Sequence, residues 1–116
     1  MVRRYGGPAS RLRAMTGLVE GVRAFDPALV YLRWDLFYPP MVRFPRRTPI
    51  VVEVNTDDEA ESALSSGIRP RYNRLTRGLV LGRARALVFV TSELSAKPSF
   101  AGFKARHAVV TNGIEL

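Results

Sequence analysis

The side chains with the most chemical potential come in four short polar groups, and each group follows an apolar run. The groups contain Arg33, Asn55 with Thr56, Ser92 with Glu93, and Asn112 with Gly113. Guanidinium, amide and hydroxyl groups form hydrogen bonds with a polar ligand. An amide cannot accept a proton, so Asn55 can orient a hydroxyl group but cannot act as a general base. These residue types predict ligand binding.

The apolar runs before these groups predict the strands that position them. They cover residues 28–32, 50–54, 86–90 and 107–110. Apolar runs without alternation are typical of strands buried on both faces of a parallel sheet. Because parallel strands end at one edge of a sheet, the polar groups should share a rim, and ligands of such sheets bind there.

Helical patterns separate the predicted strands. Apolar spacing of three and four residues predicts a first helix over 10–25, which Asp26 and Pro27 end. Further helices are predicted over 57–64, over 72–80 and from Ser92 onward, with a partly helical stretch over 36–44 and loops over 67–70 and 99–106. This alternation predicts an α/β fold, a Rossmann-like parallel sheet with helices on both faces. The length of the chain suits one domain over residues 1–116.

Composition excludes several kinds of site. The sequence has no cysteine and one histidine, His107, so it can form neither a disulfide, a thiolate site nor a histidine metal cluster. His107 is interpreted as a strand-edge residue, since no partners for a catalytic triad are discernible. The start of the chain has no apolar signal region, and Arg83 and Arg85 interrupt the longest apolar stretch. These features predict a cytoplasmic protein.

The charge is unusually positive. Lysine and arginine total 18 against 10 acids, which gives a net charge of +8. Such a charge attracts polyanions, although a compositional bias of the genome would produce the same excess. A small basic nucleic-acid-binding protein is therefore the alternative function. The arginines are scattered and no RNA-recognition pattern or zinc finger is present, so nucleic acid is the less favoured partner.

Several charged or aromatic groups leave two interpretations open. Asp57, Asp58, Glu59 and Glu61 suggest either a metal site or a helix start, and a capping box between Thr56 and Glu59 favours the latter. Ser92 suits a helix cap and also a phosphate contact. A stripe of Arg71, Arg74 and Arg77 suits either peripheral contact with an anionic membrane or a solvated helix face. Trp34 and Tyr38 could either stack on a sugar or pack against the rest of the protein.

Four segments resemble family 4 glycosyltransferases in the same order along the chain. Residues 26–33 (DPALVYLR) resemble their "P-D-hydrophobic-V-Y-x-R" segment, and residues 48–55 (TPIVVEVN) resemble their "I-P-hydrophobic-V-x-E-x-N" strand. Residues 83–93 (RARALVFVTSE) are similar to "R-A-D-hydrophobic-hydrophobic-V-S-E", and residues 109–116 (VVTNGIEL) to the "V-I-P-N-G-V-D" that closes the first domain. The resemblance spans most of the chain from Asp26.

This resemblance implies the GT-B fold, in which two Rossmann-like domains face each other across a cleft. The first domain binds the acceptor, and the second binds the nucleotide-sugar and carries paired glutamates; transfer retains the anomeric configuration and requires no metal. The chain would be an incomplete N-terminal domain without its opening strands, and inactive alone. The missing C-terminal domain would be its partner.

The resemblance also implies roles for the polar groups. Arg33, Asn55, Thr56, Ser92 and Glu93 would bind a sugar or lipid-linked acceptor, and Asn112 with Gly113 would mark the interdomain boundary. Many family members have a histidine where this chain has Asn55. The expected role of Asn55 is therefore to orient the acceptor. Such an acceptor would place the protein in the cytoplasm, with a peripheral position on the inner membrane face as a variant.

Overall fold

A computed structural model describes residues 8–65 and 67–110. The helices are α1 (Pro8–Phe25), α2 (Asp58–Ala63), α3 (Arg69–Thr76), α4 (Gly78–Leu81), α5 (Ser92–Ser95) and α6 (Pro98–Ala101), with a 3-10 helix over Pro39–Arg43. The strands are β1 (Val30–Arg33), β2 (Ile50–Val54), β3 (Ala86–Phe89) and β4 (Arg106–Val109). None of the helices in these ranges is long and apolar enough to cross a membrane.

The strands form one parallel sheet in the order β1-β2-β3-β4. Val30 pairs with Ile50, Val51 with Ala86, and Ala86 with Arg106. The predicted α/β fold with a parallel, Rossmann-like sheet is confirmed. Each strand lies beside the one that precedes it in sequence, so connections that share the usual right-handed sense all pass over the same face of the sheet.

The two faces of the sheet are buried to different extents. One face, here called the covered face, includes Leu32, Val52 and Leu87, each at most 7% exposed. The opposite face, here called the open face, carries no fully buried residue among the described strands, and Tyr31 is 56% exposed. The expectation of burial on both faces is wrong for β1, whose burial alternates, and for β4, which has no buried residue. Buried side chains therefore lie on the covered face of β1, β2 and β3, whereas His107 and Val109 of β4 are exposed on that same face.

The hydrophobic core lies between the covered face and the helices. Phe89 of β3 contacts the ring of Phe100 of α6 edge to face, with centroids 5.3 Å apart. Val19 and Val22 of α1 also belong to this core. The other buried core residues include Met41, Phe44, Val54, Val80 and Leu81. Continuous apolar packing of this kind is the main source of stability for such a domain.

Helix α1 ends where the sequence predicts. The Asp26 amide donates to the Val22 carbonyl at 2.9 Å, and Asp26 has φ 54, a left-handed conformation that terminates a helix. Pro27 follows and cannot continue the helical hydrogen bonds.

Three other boundaries differ from the prediction. The expected loop over 67–70 contains the start of α3, where Pro70 suits the first helical turn. The expected loop over 99–106 contains most of α6 and the first residue of β4. The predicted helix over 72–80 is divided into α3 and α4 at Arg77. Short helices with few periodic positions carry a weak sequence signal.

The caps of two helices lie one residue away from the predicted positions. Asp57 caps α2, because its side chain accepts from the amides of Glu59 and Ala60, and the predicted capping box that begins at Thr56 is wrong. Thr91, rather than Ser92, caps α5 by accepting from the Leu94 amide at 3.2 Å. In each case two adjacent residues have a similar preference for the cap position, so the sequence does not distinguish between them.

Replacing Thr91 should destabilise the protein more than replacing Ser92. Thr91→Ala removes the oxygen that accepts from Leu94 and should lower the free energy of unfolding by about 1 kcal/mol. Ser92→Ala should change it by less than about 0.5 kcal/mol, as for exposed residues away from such features. Urea denaturation of both variants measures the difference, and the reverse order would contradict the cap assignment.

Candidate functional site

The carboxyl ends of the strands meet along one edge of the sheet, here called the rim. Arg33 is the last residue of β1, Asn55 directly follows β2, and Ser92 lies shortly after β3. The pairing of β2 with β3 continues past the strands, since the Val90 amide donates to the Val54 carbonyl at 3.3 Å. The predicted common rim is therefore present, and Asn55 and Ser92 follow neighbouring strands.

Arg33 lies on the open face at the rim. Its Nε is 3.6 Å from Oε2 of Glu53, and the Tyr31 hydroxyl donates to the other oxygen of Glu53 at 2.9 Å. This hydrogen bond to Glu53, with some burial, raises the pKa of Tyr31. The Arg33 side chain is 74% exposed, so solvent screens the ion pair and leaves the guanidinium accessible to a ligand.

The other predicted site residues are accessible but separate from one another. Asn55 is half-buried, while Thr56, Ser92 and Glu93 are exposed. The Thr56 hydroxyl donates to Glu61 at 3.4 Å. Within the described ranges, no hydrogen bond or ion pair joins any two of the five predicted side chains. The rim is therefore an accessible polar surface and not a preassembled acid–base cluster. Asn112 and Gly113 lie outside the described residues.

A shallow cavity of about 290 Å³ adjoins Arg33 at the rim. Its walls include Arg11 and Leu18 of α1 together with Asp35 and Tyr38 from the segment after β1. The Tyr38 hydroxyl donates to Asp35 at 3.3 Å, and Arg11 lies 3.8 Å from Asp35. Cations, a carboxylate and an aromatic ring in one cavity suit a ligand rich in hydroxyl groups. Arg11 was not among the predicted site residues, because its position on α1 resembles any solvated helix face.

Trp34 packs in the core and does not line this cavity. It is 6% exposed, so the packing interpretation of Trp34 is the correct one. Tyr38 is half-buried and lines the cavity, so its two interpretations, packing and contact with a ligand, stay open.

A buried ion pair lies beneath the rim. Arg77 donates to both oxygens of Asp58, from Nε at 2.7 Å and from Nη2 at 2.8 Å, and Asn73 donates to Asp58 at 2.8 Å. Asp58 is 3% exposed and Arg77 is 6% exposed. Desolvation raises the pKa of Asp58, but hydrogen bonds from Arg77 and Asn73 and the nearby charge of Arg77 outweigh it, so that pKa is lowered overall.

This ion pair joins the elements that carry the rim. Arg77 Nη1 donates to the Ser99 carbonyl at 2.8 Å, and the Ser99 hydroxyl donates to Asp57 at 3.2 Å. The Arg77 guanidinium also lies 5.1 Å from the ring centroid of Phe100. One arginine at the end of α3 thereby holds α2 and α6 in place below the loops that follow β2 and β3.

The predicted surface stripe of three arginines is wrong at Arg77. Arg71 and Arg74 are exposed, whereas Arg77 is buried and faces Asp58. No periodic pattern predicts this, because Asp58 lies on another helix and the contact is long-range. The acids predicted as a helix start have structural partners, and the described residues contain no group of three or more that could hold a metal ion.

Comparison of the chain with protein-family models, with curated proteins and with solved structures gave no match.

Proposed function

We propose that this chain forms the acceptor-binding part of a retaining, nucleotide-sugar-dependent glycosyltransferase of the GT-B type. The observation that carries the proposal is the rim itself. Parallel strands bring Arg33, Asn55 and Ser92 to the same edge of the sheet, and these residues belong to the segments that resemble family 4 glycosyltransferases. Ligands of open parallel sheets bind outside this edge.

The chemistry of the rim supports binding of an acceptor rather than bond cleavage. Asn55 offers an amide that both donates to and accepts from hydroxyl groups, and it cannot take up a proton as a general base does. Arg33 and the cavity beside it add charged and aromatic groups at the same edge. In this proposal the nucleotide-sugar is bound by a second domain that these 116 residues do not contain.

The open face supports a place within a larger domain. Parallel sheets are normally covered on both faces, and here Tyr31 is 56% exposed on the uncovered side. On α1, Leu18 and Phe25 line an apolar depression of about 540 Å³ together with Pro27, and Phe25 is 84% exposed. Apolar surface of this kind marks a place where further protein packs.

Removing the Asn55 amide should weaken sugar binding by the chain. We expect millimolar binding by one or more members of a panel of methyl glycosides and sugar phosphates, and Asn55→Ala should weaken it about 2- to 10-fold, as for loss of one hydrogen bond. Arg33→Gln should have an effect of similar size. Ligand-observed NMR titrations measure both effects, with Arg13→Gln, an exposed arginine on α1, as the control of equal charge.

Equal weakening by the Arg13 and Arg33 variants, or unchanged binding after Asn55→Ala, would contradict the acceptor role. A mass-spectrometric assay with nucleotide-sugars and the same panel should detect no product from the chain alone. Turnover by the isolated chain would contradict the assignment of donor binding to another domain.

Nucleic-acid binding receives less support from the distribution of charge. In the described part of the chain, carboxylates pair with six arginines, namely Arg11, Arg33, Arg43, Arg47, Arg69 and Arg77. Phosphate-driven binding depends on free cations along one surface.

A further inference from the structure

A second cavity lies at the edge of the sheet opposite the rim, where β2 and β3 begin. Pro49 and Arg85 directly precede these strands, and both line the cavity. Its volume is about 420 Å³, and Arg46, Thr48 and Arg83 also contribute to its walls. The cavity is therefore separate from the proposed acceptor surface, and it belongs to another end of the same sheet.

Three arginines bring positive charge to the walls of the cavity. Arg46, Arg83 and Arg85 line it together, and none of them forms an ion pair with a carboxylate of residues 8–65 and 67–110. Partial burial of Arg83 and repulsion from Arg46 lower the pKa of Arg83. Like charges held close together favour an anion that compensates them.

One of these cations is fixed, while the other two can adapt. The Arg83 guanidinium donates to the carbonyl oxygens of Phe44 at 3.1 Å, Pro45 at 3.0 Å and Thr48 at 3.3 Å. Arg46 and Arg85 are exposed and their side chains are free to close on a ligand. Thr48 is 2% exposed, and its hydroxyl has no hydrogen-bond partner within the described part of the chain. A buried polar atom without a partner is unusual in a folded protein.

We propose that this cavity binds a phosphate-bearing anion, with a diphosphate as the preferred class. Guanidinium groups bind phosphate oxygens through paired hydrogen bonds, and three cations exceed what a single monoanion requires. A volume of about 420 Å³ also exceeds the space of one phosphate and leaves room for a second. Arg83 holds the base of the site, and Arg46 with Arg85 supplies the contacts that form on binding.

Removing the two adaptable cations should weaken binding of inorganic pyrophosphate at least about 10-fold, because each cation supplies charge-assisted hydrogen bonds to the phosphate oxygens. The variant is Arg46→Gln with Arg85→Gln, which leaves the Arg83 contacts in place. The control is Arg71→Gln with Arg74→Gln, two exposed arginines of α3 that change the net charge equally. Isothermal titration calorimetry measures the pyrophosphate affinity of both double variants. The control variant should bind pyrophosphate less than about 2-fold more weakly than the unmodified chain, since exposed charges at a distance are screened.

A parallel arm separates soluble phosphate from a lipid headgroup. Co-sedimentation with phosphatidylcholine vesicles, with and without phosphatidic acid, uses the same variants. If binding of pyrophosphate depends on Arg46 and Arg85, the ligand of the site is a soluble phosphate. If only binding to phosphatidic acid vesicles depends on them, the ligand is a lipid headgroup. Equal weakening by the two double variants, or no saturable binding in either arm, would overturn the proposal. Sugar binding at the rim is measured separately, so either proposal can fail alone.

Discussion

Arg77→Met should lower the free energy of unfolding by about 3–5 kcal/mol, because it leaves the buried Asp58 carboxylate without its counter-charge. The variant also loses the hydrogen bond to the Ser99 carbonyl and the contact with the Phe100 ring. Urea denaturation at neutral pH measures the loss. Arg74→Met is the matched control on the same helix, and it should change stability by less than about 0.5 kcal/mol since Arg74 is exposed.

The pH dependence of stability distinguishes the ion pair from simple packing. The pKa of Asp58 is lowered in the folded state, so the stabilisation is present at neutral pH. This stabilisation is lost as the pH falls below about 3.9, the pKa of an aspartate in the unfolded chain, and then through the lower pKa of Asp58 in the folded chain. Asp58→Asn removes the titrating group and should flatten this part of the pH profile. A profile identical to that of the unmodified chain would contradict the assignment.

Phe100→Ala should cost about 3–5 kcal/mol, the range for removal of a fully buried aromatic ring. Phe100 is 0% exposed, packs edge to face against Phe89 and supports the Arg77 guanidinium. The substitution therefore leaves a cavity under the end of β3 and weakens the hold of Arg77. Phe25→Ala is the control, because Phe25 is 84% exposed and its loss should change stability by less than about 0.5 kcal/mol.

The two large effects should also be coupled. Phe100 and Arg77 are in contact, so the double variant should lose less than the summed losses of the single variants, by about 0.5–3 kcal/mol. If the losses of the two single variants simply add, Phe100 and Arg77 act independently. The inference that they support the rim together would then be wrong.

The strands and the end of α1 were predictable because their signals are local. Apolar runs identified all four strands to within two residues at either end, as in Val30–Arg33 against the predicted 28–32. The Asp26 and Pro27 pair ended α1 at the expected position. The order of strands and helices then implied a parallel sheet, and that sheet placed Arg33, Asn55 and Ser92 along one rim.

The remaining differences arise from contacts between distant residues. The open face of β1 escaped prediction because Tyr31 is largely apolar and conceals the alternation with Val30 and Leu32. Arg77 turns inward only because Asp58, on a separate helix, meets it in the folded chain. At the rim, the positions of Asn55 and Ser92 followed from the topology, whereas the contacts of Arg33 with Glu53 depend on side chains from neighbouring strands.

The most direct test of the acceptor role is amide chemical-shift mapping of the chain during titration with the tightest-binding sugar of the panel. Saturable shifts are expected in the segments after β1, β2 and β3, near Arg33, Asn55 and Ser92, and the amino-terminal ends of the strands should be unaffected. Shifts confined to the opposite edge or to the open face away from Arg33, or no saturable shift at any residue, would contradict the acceptor role.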